Sequence, residues 1–171
     1  MNKMFQFLFI CLLTIATSGS MAAFAAEKSS SAATFDALIA LAGKWKGEYK
    51  GTEVKLIYTL TANGTALMEE FRPRTGPVMI TMFTVDGDHL VALHYCSAGN
   101  QPYMKTERIT EPQTKQVAFT LERVTGMATP DDWHNTGLVM ILEDQDHLTQ
   151  EWTYIDKGET GKTVFHFTRG E

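Results

Sequence analysis

The sequence predicts an all-β fold: a closed barrel of about ten short antiparallel strands with a short N-terminal helix. From residue 43 onward, short runs alternate between apolar and polar side chains, and turn residues interrupt them about every 8–12 positions. A second helical pattern is absent, so the chain offers no crossover connection for a parallel sheet. Consecutive hairpins favour an up-and-down barrel over a sandwich, because closure leaves no unpaired edge strand.

Residues 1–25 are predicted to be a secretory signal peptide. Lys3 supplies the positive charge, an apolar stretch follows from Phe5 to Ile15, and Ala23-Phe24-Ala25 matches the A-x-A cleavage pattern. The apolar stretch is shorter than the roughly 20 residues of a membrane-spanning helix. We therefore expect an exported protein, located in the bacterial periplasm or secreted, with no stable membrane insertion after cleavage.

Residues 26–33 are rich in Ser and Ala and are predicted to be a flexible lead. The remaining segment, 34–171, is predicted to be one barrel domain. Thr34 is the expected N-cap of a helix over residues 35–42, whose apolar residues recur at helical spacing and which Gly43 ends.

The strands follow in order, separated by hairpin signals such as Asn63-Gly64 and Asp86-Gly87. Residues 126–135 form the longest irregular segment. We predict strands near residues 44–50, 54–60, 65–72, 78–85, 89–96, 103–109, 117–121, 136–142, 147–155 and 163–169.

Composition narrows the classes of partner and cofactor. The chain of 171 residues has 20 acidic and 15 basic residues, a net charge of −5, which argues against nucleic acid as a partner. Cleavage would remove Cys11 and leave Cys96 alone, so an internal disulfide is excluded. Metal-ligand spacings such as Cys-x-x-Cys or His-x-His are absent. We expect no resident metal or cofactor, and a monomer or weak homo-oligomer.

Two ends of the domain resemble the calycins, the superfamily that includes the lipocalins. Gly43-Lys44-Trp45 follows the short helix, and Arg169 lies in the last predicted strand. The resemblance implies that the first and last strands are neighbours. It also implies that Arg169 packs over Trp45 at one end of the barrel, where a cation–π contact contributes about 0.5–2 kcal/mol.

Further motifs resemble a group of uncharacterised bacterial lipocalin-like proteins. These are His94-Tyr95-Cys96, Gly99-Asn100-Gln101-Pro102 and an Asp-His-Leu turn before a strand bearing Trp152. The predicted strand number and Gly43 to Gly47 are also similar to the nitrobindin family of haem-binding barrels. That resemblance implies haem as an alternative ligand, although Lys50 here follows Tyr49 where that family has a Tyr-Pro pair.

Polar side chains on otherwise apolar strands indicate a ligand site inside the barrel. His94 and Cys96 share a strand face with Leu90 and Ala92. We take this face to be the inner one, and the opposite orientation would turn Tyr95 inward instead. The alternative is that these residues are core packing. The candidate ligand-binding residues are His94, Cys96, Asn100, Gln101, His134, Trp152, Tyr154, Phe165 and Phe167.

The four aromatic residues of this set would supply apolar contacts, and His94, Asn100 and Gln101 would orient the ligand. The sequence therefore favours an exported barrel that binds a small apolar or amphipathic molecule. A small enzyme using His94 and Cys96 is an alternative, but residues two apart on a strand lie about 6–7 Å apart, beyond hydrogen-bond reach. We assign no catalytic residue. Glu70 and Arg72 are expected to form an outward surface pair.

Overall fold

The computed structural model describes residues 28–170, which form one α-helix and ten strands. The predicted signal peptide and residues 26–27 lie outside the described residues. The elements are α1 (Ser30–Ile39), β1 (Gly43–Tyr49), β2 (Thr52–Thr61), β3 (Ala66–Pro73), β4 (Met79–Asp86), β5 (His89–Tyr95), β6 (Gln101–Lys105), β7 (Gln116–Thr125), β8 (His134–Leu142), β9 (His147–Asp156) and β10 (Glu159–Arg169).

The ten strands form a closed antiparallel barrel in which each strand pairs with its neighbours along the chain. The first and last strands close the sheet, with Trp45 on β1 opposite Arg169 on β10. Most connections are hairpins or short loops. Among the described residues the longest connection is 106–115, between β6 and β7, and not the predicted segment, which spans 126–133. The predicted fold class, an up-and-down barrel of about ten strands with a short N-terminal helix, is confirmed.

The helix begins at Ser30, five residues before the predicted start, and residues 30–33 of the expected flexible lead are therefore helical. The reason is that Ser29 is the N-cap: its hydroxyl accepts a hydrogen bond from the amide of Ala32 at 3.2 Å. Thr34 lies inside the helix instead. It is fully buried, donates to the carbonyl of Ser30 and accepts from the amide of Gln113.

The helix covers one end of the barrel, which we call the closed end. Ser31 donates to the carbonyl of Gly87 in the β4–β5 hairpin, and Trp45 Nε1 donates to the carbonyl of Leu41 at 2.8 Å. The guanidinium of Arg169 lies over the Trp45 ring, 4.3 Å from its centroid. The contact that the calycin resemblance implies is therefore present.

Inward-facing apolar side chains fill the barrel from the closed end to about its middle. The completely or almost completely buried ones are Trp45, Leu56, Leu67, Phe83, Leu90, Ala92, Met104, Val117, Phe119, Leu138, Met140, Leu148 and Phe167. Within residues 28–170, no helix is both long and apolar enough to span a membrane.

The burial of side chains shows which face of each strand points into the barrel, a question that the sequence left open. Leu90, Ala92 and His94 on β5 are buried, whereas Tyr95 is 46% exposed, so the predicted inward face of this strand is correct. On β3 the outward residues Glu70 and Arg72 form an ion pair, as expected. Their neighbour Glu69 faces inward and is fully buried.

Candidate functional site

A cavity of about 290 Å³ occupies the opposite, open end of the barrel. Its lining is mainly aromatic and includes no Asp, Glu, Lys or Arg. The lining residues are Tyr49, Phe71, Pro73, Met79, His94, Ser97, Trp133, Asn135, Trp152, Tyr154, Thr163 and Phe165.

A layer of buried polar side chains lies one inward position deeper than this lining. Glu69 is the centre of the layer, with Tyr58 Oη and Gln150 Nε2 each 2.5 Å from its Oε2 atom. Gln150 Nε2 also donates to Tyr58 Oη at 2.8 Å. Because all three side chains are at most 2% exposed, these hydrogen bonds replace the water that the groups lose on folding.

Two residues of the lining are hydrogen-bonded to this polar layer. Trp152 Nε1 donates to Gln150 Oε1 at 3.0 Å. His94 Nδ1 lies 2.9 Å from Thr81 Oγ1, which in turn lies 3.4 Å from Glu69 Oε1. The polar layer therefore fixes the rings of His94 and Trp152, whose centroids are 4.9 Å apart.

The second ring nitrogen of His94, Nε2, is buried and makes no hydrogen bond to any residue of the range 28–170. Buried polar atoms in native proteins nearly always have a partner, so an unpaired one beside a cavity marks a place for a ligand atom. His94 itself is only 3% exposed. The ring supplies one polar contact in a mainly apolar cavity.

Burial shifts the pKa values of His94, Glu69 and Tyr58. Burial lowers the pKa of His94 to about 4, so the imidazole is neutral at neutral pH. Burial raises the pKa of the Glu69 carboxyl, and its hydrogen bonds from Tyr58, Gln150 and Thr81 oppose that rise. Burial and the adjacent Glu69 raise the pKa of Tyr58 well above its usual value.

A β-bulge decides which residue of β8 reaches the cavity. Leu138 and Met140 face the core, so strict alternation would turn Thr136 and His134 inward as well. The register between β8 and β9 shifts between Asn135 and Gly137, and Asn135 comes opposite Tyr154. Asn135 therefore lines the cavity.

Four of the sequence-predicted ligand-binding residues line the cavity: His94, Trp152, Tyr154 and Phe165. Tyr154 stacks on Trp133 with centroids 5.5 Å apart. Phe165 stacks on Phe167, which lies deeper in the core and outside the lining.

The other four predicted residues also lie outside the lining. Asn100 is buried and donates to the carbonyl of Trp133 at 2.6 Å, so it positions a lining residue. Gln101 is bonded to the carbonyl of Gly99 and to Thr125, and His134 to the carbonyl of Asp132.

Cys96 lies in the turn that follows β5. It therefore does not share the inward face of His94, and the prediction from the alternation is wrong for this residue. Its Sγ accepts from the amide of Ala98 at 3.4 Å. The turn formed by Cys96, Gly99 and Asn100 explains the departure from the strand, because their backbone groups hydrogen-bond to one another. In the described range, no hydrogen bond joins the thiol to His94.

The sequence analysis missed the polar layer of Tyr58, Glu69, Thr81 and Gln150. A usable signal exists: Glu69 lies between Leu67 and Phe71 on the inward face of β3, and Tyr58 follows Val54 and Leu56 on β2. Polar residues in phase with an apolar face are candidates for a buried network. Among the residues described, no group of three His, Cys, Asp or Glu side chains is arranged to hold a metal ion.

The fold and the site together define a closed ten-stranded antiparallel barrel with an aromatic-lined cavity at one end. No protein-family model and no curated protein matches the sequence. Two solved structures share the fold. One is a protein of unknown function of the DUF3598 family from Nostoc punctiforme, with a TM-score of 0.52 and 16% identity. The other is Rv2717c from M. tuberculosis, with a TM-score of 0.54 and 13% identity.

The two similarities differ in extent. The first covers 78% of this chain but only 49% of the Nostoc protein, so this chain spans about half of that protein's length. The second covers 81% of this chain and 98% of Rv2717c. At these identities the similarity is one of fold alone.

Proposed function

We propose that the protein is an exported binding barrel that holds a small apolar or amphipathic molecule in the open-end cavity. The observation that carries the proposal is the unpaired Nε2 of His94 beside a largely aromatic cavity of about 290 Å³. This volume is at the lower limit of ligand pockets, which span roughly 300–1,000 Å³, and a few fixed polar groups in an apolar lining are typical of them.

The rigidity of the cavity supports the proposal. Phe71 packs edge-on against Phe165 at 5.2 Å between centroids, and hydrogen bonds to the polar layer hold His94 and Trp152. A preformed cavity loses little conformational entropy when it binds, which favours affinity for a small ligand.

Binding of the fluorescent probe 1-naphthylamine tests this function in the protein without residues 1–25. Thr163 lines the cavity on β10, whereas the next residue, Val164, is 39% exposed on the outer face. Thr163→Phe fills the cavity and should weaken probe binding at least about tenfold. Val164→Phe is the matched control and should bind as the wild type does. Equal binding by both variants contradicts the proposal.

Export and the assembly state belong to the same proposal. Intact mass of the protein recovered from the periplasm or the medium should correspond to cleavage after Ala25. Recovery of the uncleaved chain from the cytoplasm contradicts export. The proposed ligand is a small molecule and not nucleic acid, and no stable membrane insertion is expected after cleavage. Sedimentation should give a monomer or a weak homo-oligomer.

Haem is a second candidate ligand, favoured by the neutral imidazole of His94, whose free Nε2 has the chemistry of an axial iron ligand. The rest of the lining fits haem less well, because no Lys or Arg is present to pair with the propionates. Titration with haemin tests this candidate. A strong Soret band that His94→Phe abolishes supports haem, and a spectrum of free haemin contradicts it.

A further inference from the structure

His94, Thr81 and Glu69 form a row of hydrogen bonds from the cavity into the middle of the barrel. Nδ1 of His94 lies 2.9 Å from Oγ1 of Thr81, and this oxygen lies 3.4 Å from Oε1 of Glu69. A threonine hydroxyl carries one proton, so it donates to one neighbour and accepts from the other. The state of Glu69 therefore decides which nitrogen of His94 carries the ring proton.

The hydrogen bonds around Glu69 favour its ionised form, against the burial that raises the pKa of its carboxyl. Three donors converge on it: the hydroxyl of Tyr58, the amide of Gln150 and the hydroxyl of Thr81. A carboxylate accepts from all three donors, whereas a protonated carboxyl would donate from Oε1 to Thr81 and reverse the direction of the row. With Glu69 ionised, Thr81 donates to it and accepts from Nδ1–H of His94.

This arrangement makes the free nitrogen of His94 an acceptor. Burial lowers the pKa of His94 to about 4, so at neutral pH the ring carries a single proton, located on Nδ1. Nε2 then presents a lone pair and has no partner within residues 28–170. An unpaired buried acceptor is unfavourable, so a ligand that donates to it gains affinity that an otherwise equal ligand lacks.

We infer that the ligand is a neutral aromatic molecule that donates one hydrogen bond, from a hydroxyl or an N–H group, to Nε2 of His94. The inference rests on the proposed binding function and names the class of ligand. Neutrality follows from a lining without ionised side chains at neutral pH. Aromatic character follows from the rings of Tyr49, Phe71, Trp133 and Phe165, which offer faces and edges for stacking.

The cavity volume sets the size of this ligand. A protein cavity of about 150 Å³ holds benzene, so one of 290 Å³ accommodates about two fused rings. Suitable probes are therefore 2-naphthol, which donates through its hydroxyl, and 2-methoxynaphthalene, which has the same rings and only accepts. Indole and 1-methylindole form a second pair that differs in the N–H donor.

Isothermal titration calorimetry of the wild type without residues 1–25, at neutral pH, tests the inference with these four probes. We expect 2-naphthol to bind at least about tenfold more tightly than 2-methoxynaphthalene, and indole more tightly than 1-methylindole. His94→Phe keeps an aromatic ring at the position and should remove the difference within each pair.

Glu69→Gln tests the row of hydrogen bonds itself. The amide oxygen replaces the acceptor for Tyr58 and Gln150, and the amide NH₂ donates to Thr81, so Thr81 must donate to Nδ1 of His94. The ring proton then lies on Nε2, and the variant should prefer 2-methoxynaphthalene. Glu70→Gln, at the outward neighbour, is the matched control and should keep the wild-type order.

The possible outcomes separate this inference from the proposed function. Equal binding within the probe pairs, tighter binding of the ethers by the wild type, or a wild-type order in folded Glu69→Gln overturns the inference alone. If none of the four probes binds the wild type, the inference fails, and the binding of 1-naphthylamine decides whether the proposed function fails with it. Circular dichroism establishes that Glu69→Gln is folded, and the wild-type comparison stands without that variant.

Discussion

Glu69 on β3 and Gln150 on β9 meet inside the barrel, with Oε2 and Nε2 2.5 Å apart, although 81 positions separate them along the chain. This hydrogen bond crosses the interior and joins opposite parts of the sheet. Tyr58 completes the group by hydrogen-bonding to both residues. The centre of the barrel is therefore a polar layer between an apolar closed half and an aromatic open half.

Tyr58→Phe should destabilise the protein, because it removes a donor to Glu69 and an acceptor for Gln150 while keeping the ring. Leaving a buried polar group unpaired costs about 1–3 kcal/mol in the free energy of unfolding. Urea unfolding measures this loss. Tyr95→Phe removes a hydroxyl from a residue that is 46% exposed and should change stability by less than about 0.5 kcal/mol. Equal free energies of unfolding for the two variants would show that the Tyr58 hydroxyl contributes nothing to stability.

The stability of the protein should fall at acidic pH partly because of His94. In the unfolded chain a histidine binds its proton below about pH 6.5, whereas burial lowers the pKa of folded His94 to about 4. The unfolded state thus binds more protons between these values, so this contribution is present above pH 6.5 and is lost as pH falls towards 4. It amounts to about 3 kcal/mol.

Urea unfolding of His94→Gln at neutral pH and at about pH 4.5 measures this contribution, since glutamine does not titrate. The variant should lose less stability than the wild type over that interval. His166→Gln, at an exposed histidine of β10, should retain the wild-type loss. A parallel loss in His94→Gln and the wild type would contradict the neutral, buried imidazole.

Arg169 and Trp45 should be energetically coupled. The guanidinium lies over the indole ring and also donates to the carbonyls of Ala40, Ala42 and Gln145. A double-mutant cycle with Arg169→Met and Trp45→Leu should give a coupling free energy of about 0.5–2 kcal/mol.

The comparison cycle replaces Arg169→Met by Arg72→Met, which removes an arginine of β3 that pairs with Glu70 on the outer face. Distant sites add independently, so this cycle should show no coupling beyond about 0.5 kcal/mol. Identical coupling in the two cycles would argue against a specific contact at the closed end.

Gly161→Ala should weaken ligand binding without touching the ligand. Gly161 on β10 lies opposite Tyr154 on β9, and a Cβ atom there would come within 2.3 Å of the tyrosine ring. The ring must move, and with it the stack on Trp133 that lines the cavity. Affinity for 1-naphthylamine should fall about three- to tenfold. Thr160→Ala, at the exposed neighbour, is the control, and unchanged affinity in Gly161→Ala would be the contrary result.

Much of the fold follows from local patterns, because alternation and turn residues act over a few positions. The residues around Leu90 to Tyr95 illustrate this: their alternation gives the correct inward face of β5. The helix start differs because the choice between Ser29 and Thr34 as N-cap depends on a distant contact. Thr34 is buried and hydrogen-bonded to the amide of Gln113, which the local sequence does not reveal.

The site was harder to predict because its polar residues are brought together by strands far apart in sequence. Glu69 and Gln150 also lie in phase with apolar residues on their own strands, but only barrel closure brings these two strands together. Asn135 reaches the cavity through a bulge that breaks the alternation. His94 was accessible to sequence analysis because it continues an apolar face on its own strand.

The pairing of β10 with β1 makes closure of the whole sheet depend on the last strand. Hairpins from β1 to β9 can form as neighbours along the chain, but the sheet keeps two unpaired edges until residues 159–169 are available. The same last strand carries Arg169, which binds the end of α1. One strand therefore both closes the barrel and holds the end of the helix, and a chain shortened before Glu159 should associate through its exposed edges.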